Sequence, residues 1–235
     1  MSDKHLSSQF DAALNLLSTR LLEMGGLVES QISSVLSLLS KFDSAVVSGV
    51  RDVERQLNQM EVEIDDEIIN VIARRQPAAR DLRLLMATSK CVTNLERAGD
   101  EAWKIAKRLQ RIDEAGVPPA LQVAELRNSG EMALTILHRV LDAFARMDIA
   151  SAEQIMRDDL AIDNEFRLLV QRLVTNMNAA PGTISSCLDY LFAAKAIERI
   201  GDHATNIAEF VIYIVKGRDV RHLPLGRPDE EIPRN

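Results

Sequence analysis

The segment Glu96-Arg97-Ala98-Gly99-Asp100 returns as Glu198-Arg199-Ile200-Gly201-Asp202, an offset of 102 residues. On an α-helix, positions i and i+4 are neighbours about 6 Å apart. Glu96 with Asp100, and Glu198 with Asp202, therefore each present two carboxylates side by side, which suits a hard, oxygen-seeking cation. The spacing alone says little: with 35 Asp and Glu in 235 residues, roughly five acidic-x-x-x-acidic pairs arise by chance, mostly on solvated faces. Repetition in context carries more weight. Ile105-Ala106 answers Ile207-Ala208 at the same offset, and both copies keep an Arg after the Glu and a Gly before the Asp. A mid-helix Gly costs about 1 kcal/mol relative to Ala, so Gly99 and Gly201 imply close approach of a neighbouring backbone or ligand. Two helices crossing tightly would ask for the same residue.

A second repeat lies upstream. Lys41-Phe42-Asp43 answers Arg146-Met147-Asp148 at an offset of 105, and in that register Glu54 and Asn58 match Asp159 and Asp163. Each half thus gains a second polar i,i+4 pair, the one with Asn58 being weaker. Glu198, Asp202, Asn206 and Glu209 continue along one helix face, whereas the first copy has Lys104 and Lys107 at the last two positions. A lysine there would pair with Asp100 and weaken a cation site, which makes the second half the better candidate. For the first copy an ordinary i,i+4 salt bridge is the plain alternative.

Other chemistries find little support. A carboxylate-bridged oxidase needs Glu-x-x-His pairs on its bundle helices, and none is present. His5 and His222 lie near the ends, and His138 has no acidic residue three positions before it. His203 points about 100° away from the Glu198–Asp202 face, a rim position rather than a ligand. No glycine-rich phosphate loop, serine nucleophile motif or cysteine–histidine arrangement appears, so an enzyme is not expected. Arg74, Arg75, Arg80 and Arg83 gather around Pro77 and would form a docking surface or complement a helix C-terminus.

The elements that must carry these residues are helical. Apolar residues make up 46% of the chain and aromatics only 4%, a mixture that fills helix–helix interfaces. From Leu6 to about Ser40 apolar residues recur at three- and four-residue steps, with a possible kink site at Gly25-Gly26. Asp43 is placed to cap a second helix running to about Arg75, ended by Pro77, and a third spans about 79–112. Gly116-Val117-Pro118-Pro119 is the strongest break. Beyond it the plan repeats, with helices over about 119–145, 149–177 and 185–216 and a turn at Ala180-Pro181-Gly182. The expected architecture is all-α, two tandem three-helix bundles at 1–115 and 116–216, with a mobile tail at 217–235.

A formal charge of −7 argues against nucleic acid as a partner. Cys91 and Cys187 lack zinc-type spacing and read as buried free thiols of a cytoplasmic protein. The start of the chain has no signal-peptide pattern, and no stretch stays apolar for about 18 residues. Exposed apolar stripes on long helices would suit a homodimer.

With both Glu-Arg-x-Gly-Asp motifs and both three-helix halves, the segment Arg74-Arg75-Gln76-Pro77-Ala78-Ala79-Arg80-Asp81-Leu82-Arg83 resembles the PhoU family of phosphate-transport accessory and regulatory proteins. So do Met24-Gly25-Gly26-Leu27-Val28-Glu29 and Leu141-Asp142-Ala143-Phe144-Ala145-Arg146-Met147-Asp148. The resemblance covers nearly the whole chain. It implies metal, whether iron, zinc, manganese or magnesium, on acidic-x-x-x-Asp pairs of the second and third helices. Those positions are Asp159, Asp163, Glu198 and Asp202 in the second unit and Glu54, Glu96 and Asp100 in the first, with Asn206 and Asn58 as further candidate ligands. Asn58 departs from the aspartate the family pattern expects. The resemblance also implies a role in restraining the phosphate-starvation response, by linking PstB, the ATPase of the Pst phosphate importer, to the sensor kinase PhoR. Against it stand a metal-dependent enzyme using a carboxylate cluster and a purely structural helical adaptor.

Overall fold

The computed structural model describes residues 8–116 and 123–218. Among them every long element is a helix: α1 (Ser8–Leu38), α2 (Ser44–Arg75), α3 (Ala79–Glu114), α4 (Val123–Arg146), α5 (Ile149–Ala179) and α6 (Ile184–Lys216), with one short 3₁₀ turn at Pro181–Thr183. The 36 residues of α3 make a rod of about 54 Å. The sequence boundary at 116–119 falls largely outside the described residues, as do 219–235 of the expected tail.

The caps repeat with the helices. Asp43 accepts from the Ala45 amide at 2.8 Å, and Asp148 accepts from the Ser151 amide and hydroxyl at 3.2 and 2.7 Å. Each carboxylate satisfies a donor that the first helical turn leaves open and sits at the positive end of the helix dipole. The buried positions repeat as well. Val47, Val50, Leu57, Ile64 and Ile68 of α2 recur, 105 residues on, as Ala152, Ile155, Ile162, Leu169 and Leu173 of α5. With so few buried positions, α2 and α5 are the outer helices.

The inner helices α1, α3, α4 and α6 share one continuous apolar core across both halves. At the α1–α4 crossing a Cβ on Gly25 would lie 2.5 Å from Leu141 Cδ2, and one on Gly130 would lie 2.3 Å from Leu36 Cδ2. Gly130 and Leu141 are the counterparts of Gly25 and Leu36 at the offset of 105, so the contact is reciprocal, as across a two-fold axis. Gly25 is thus a site of close helix approach and not a kink: α1 runs unbroken through it. The packing of α3 on α6 is the most extensive in the molecule. It is antiparallel, as Asn94 meets Asn206, Glu101 meets Arg199 and Arg108 meets Asp189. Both Glu-Arg-x-Gly-Asp motifs therefore stand at mid-height of the bundle, side by side, while the α2–α3 and α5–α6 turns lie at opposite ends.

Candidate functional site

In the second unit α5 and α6 bring together the four carboxylates singled out by spacing. A Cβ on Gly201 would lie 2.6 Å from Asp159 Oδ1 and 3.1 Å from Ile162 Cδ1, so the motif glycine is the space into which α5 pushes its aspartate. Burial raises the Asp159 carboxyl to about 6, helped by Asp202, Asp163 and Glu198, while the Thr205 hydroxyl acts the other way. Asp202 is also raised, first by desolvation and then by Glu198, against the pull of Lys195. Glu198 is held by Lys195, whose ammonium also lies 5.4 Å from the Phe166 ring centroid. Negative charge therefore accumulates around Asp159 with cations only at its edge, the condition a bound cation relieves.

The first unit uses the same backbone device differently. A Cβ on Gly99 would lie 2.4 Å from Leu57 Cδ1 and 3.0 Å from Gln31 Oε1, so here the glycine admits a leucine of the core. Asn58 donates to Glu54 at 2.7 Å, and Lys104 lies 2.8 Å from Asp100 and 3.1 Å from Glu101. Glu96 is raised by desolvation and by Glu61, Asp100 and Glu54, with Arg97 opposing. The ammonium of Lys104 sets a cation on Asp100 where the second unit has the neutral Asn206.

The donor chemistry of the second cluster fits a hard cation: several carboxylate oxygens, one of them held in a cradle that any side chain at position 201 would fill. Its geometry is open. Among the described residues no three Asp, Glu, His or Cys side chains converge closely enough to hold one ion, so binding requires side chains of α5 and α6 to turn inward. Asn206 is turned away, its amide donating to Asn94 Oδ1 at 3.0 Å.

One further expectation needs correction. His203 is not at a rim: it is 6% exposed, with Nδ1 3.2 Å from Asn94 Oδ1. The angle from the carboxylate face that suggested a rim instead points it into the α3–α6 interface. There burial, then Arg199, Arg97 and Lys104, lower it to about 4, and it is neutral. Of the four arginines, Arg83 folds against the end of α6, where a Cβ on Gly217 would lie 3.4 Å from its Cζ, and Arg75 donates to Gln9 at 3.1 Å. Spacing also missed Glu101, 3% exposed and held by Lys104 and by Arg199 at 3.2 Å. Its one signal was position: an acid standing in the apolar row of α3 between Ala98 and Ile105. Its counterpart at the offset of 102 is His203, so both halves place a polar residue at this position of the interface.

Compared with known proteins, residues 21–109 and 126–211 match the PhoU domain model. A "Phosphate-specific transport system accessory protein PhoU homolog" of Burkholderia sp is 53% identical over 224 residues, 95% of each chain. The chain belongs to the PhoU family. Among solved structures of the family, that of PhoU from Pseudomonas aeruginosa superposes with a TM-score of 0.86 at 44% identity, covering 89% of this chain and all of the other. The phosphate transport system regulatory protein PhoU from Streptococcus pneumoniae gives 0.83 at 26% identity, covering 90% and 99%. At that lower identity the helical fold is retained nearly end to end.

Proposed function

We propose that this chain is a non-catalytic, cytoplasmic regulator of phosphate uptake that couples PstB of the Pst importer to the sensor kinase PhoR and restrains the phosphate-starvation response. What carries the reading is the end-to-end likeness to relatives named as accessory and regulatory proteins of phosphate transport. No helix among the described residues is long and apolar enough to cross a membrane, so contact with the membrane would run through partners. A homodimer is part of the same proposal.

In this reading the second unit is the cation-responsive half. A divalent cation or iron, when bound, supplies positive charge among Asp159, Asp163, Glu198 and Asp202. The chain's own residues then do the rest. Asp159, Asp163, Glu198 and Asp202 would hold the ion, Asp159 would stay ionised, Glu198 would be freed from Lys195, and α5 would be held against α6 at the height of Gly201. The outer surface of α5 and α6 is thereby fixed in one arrangement for a partner. The first unit, neutralised internally by Lys104, holds its shape without an ion.

The test is a pull-down of PhoR and PstB from cell extract by the purified chain, with and without chelator, with metal content measured on the same sample. Retention of either partner supports the coupling role, and chelator sensitivity assigns the switch to the carboxylates. Retention of neither, together with stoichiometric iron or manganese and turnover lost in Asp202→Ala, would replace it with a metal-dependent enzyme.

A further inference from the structure

The duplicated hairpin tips are alike in shape and unlike in charge. On the α2–α3 tip Ile69, Leu82 and Met86 are 62%, 38% and 47% exposed. They form one seam: Asp65 accepts from the Ser89 hydroxyl at 2.7 Å, Ile69 stands one turn beyond Asp65, and Met86 and Leu82 stand one and two turns before Ser89. In the repeat register their counterparts are Val174, Ile184 and Leu188, which are exposed too. Between Ile69 and Met86 the chain carries four arginines against the single carboxylate Asp81. Between Val174 and Leu188 it carries no charged residue at all.

Arg74 and Arg80 are exposed and, among the described residues, have no acidic partner within ion-pair distance. The turn between them is itself unusual. Gln76 and Ala79 take φ of 48° and 42°, left-handed values that non-glycine residues adopt at a cost of about 1 kcal/mol or more each. The α5–α6 turn contains no positive φ. A strained turn that holds two free guanidinium groups beside an exposed apolar row is a feature of this tip alone.

Resting on the coupling role above, we propose that the α2–α3 tip docks an acidic amphipathic helix of a protein partner. Apolar residues of that helix would lie along Leu82, Met86 and Ile69, and its carboxylates would meet the forked guanidinium groups of Arg74 and Arg80. The planar fork suits carboxylates better than a lysine would, and the thioether of Met86 adapts to the packed side chain. The matching uncharged tip at the other end of the bundle is an internal control.

The test is fluorescence anisotropy of the full chain with a labelled helical peptide carrying Leu and Glu at heptad spacing, beside a twin with Lys in place of Glu. The Glu peptide should bind and the Lys peptide should not. Arg74→Glu/Arg80→Glu and, separately, Met86→Gln should weaken binding about tenfold or more, with Leu188→Gln neutral. Equal binding of both peptides, or equal loss from Leu188→Gln and Met86→Gln, overturns the proposal. So does arginine-dependent binding to phosphatidylglycerol vesicles without peptide binding, which would make the tip a lipid site. A monomer–dimer change in the tip variants by light scattering would make the occupant a second copy. If PhoR or PstB is retained by the chain and equally by Arg74→Glu/Arg80→Glu, the coupling role stands and this surface is not its seat.

Discussion

Replacing Asp159 with asparagine should make the cation-free protein more stable. The carboxyl is raised from 3.8 to about 6, and each unit corresponds to about 1.4 kcal/mol, giving about 3 kcal/mol of strain when it is ionised. Screening of a half-buried group reduces this to about 2 kcal/mol, or a rise in Tm of about 4–8 °C for a chain of this size. The sign follows from proton uptake. The folded chain binds the Asp159 proton more tightly than the unfolded chain, so the cost is absent below about pH 4, grows through the window and is complete above about pH 6. His203 has the opposite sense: lowered from 6.5 to about 4, it supports stability above about pH 6.5, and that support is lost as pH falls toward 4. The two slopes oppose each other in the wild type. Urea unfolding in chelator, followed by helical circular dichroism across this range, should therefore show Asp159→Asn about 2 kcal/mol above wild type at pH 7.5, with the difference closing toward pH 4. Added divalent cation should stabilise the wild type and not the variant. A variant less stable than wild type at pH 7.5, or an advantage independent of pH, would refute the reasoning.

Other outcomes follow from the same geometry. Gly99→Ala drives a Cβ into the buried Leu57 side chain and should cost about 1–3 kcal/mol by overpacking, whereas Gly201→Ala displaces Asp159 and should chiefly weaken cation binding; chemical unfolding and calorimetric titration separate the two. Lys104→Asn gives the first unit the residue of the second and should raise the number of divalent cations bound per chain, read by metal analysis after equilibrium dialysis. Burial raises the Cys91 thiol well above its ordinary range, so iodoacetamide should modify it only at the rate at which the native chain opens, measurable by mass spectrometry over a urea series.

How much of this was legible beforehand depended on which residues interact along one helix and which interact between helices. The i,i+4 carboxylate pairs, the Asp43 cap, the proline-bounded turn after Arg75 and the two-fold plan are local, set by helical period and cap chemistry, and reading along the chain finds them. The repeated glycines announced close approach but not what approaches. At Gly99 the nearest atom is that of Leu57, whereas at Gly201 Asp159 comes in ahead of Ile162, the counterpart of Leu57, because packing sets how closely each outer helix leans on its glycine.

Sequence alone determined the helices, their order, the duplication and the carboxylate pairs, since these follow from residue type and spacing within single helices. Only the tertiary structure decided that α3 and α6 run antiparallel through a common core with both motifs at one level, and that His203 and Glu101 are buried where they meet. It also decided that Asn206 serves Asn94 rather than the carboxylates, and that the exposed apolar seams lie at opposite ends of the bundle. The physical reason is that a side chain's burial, charge and partner depend on the neighbouring helix facing it, and packing in three dimensions chooses that neighbour.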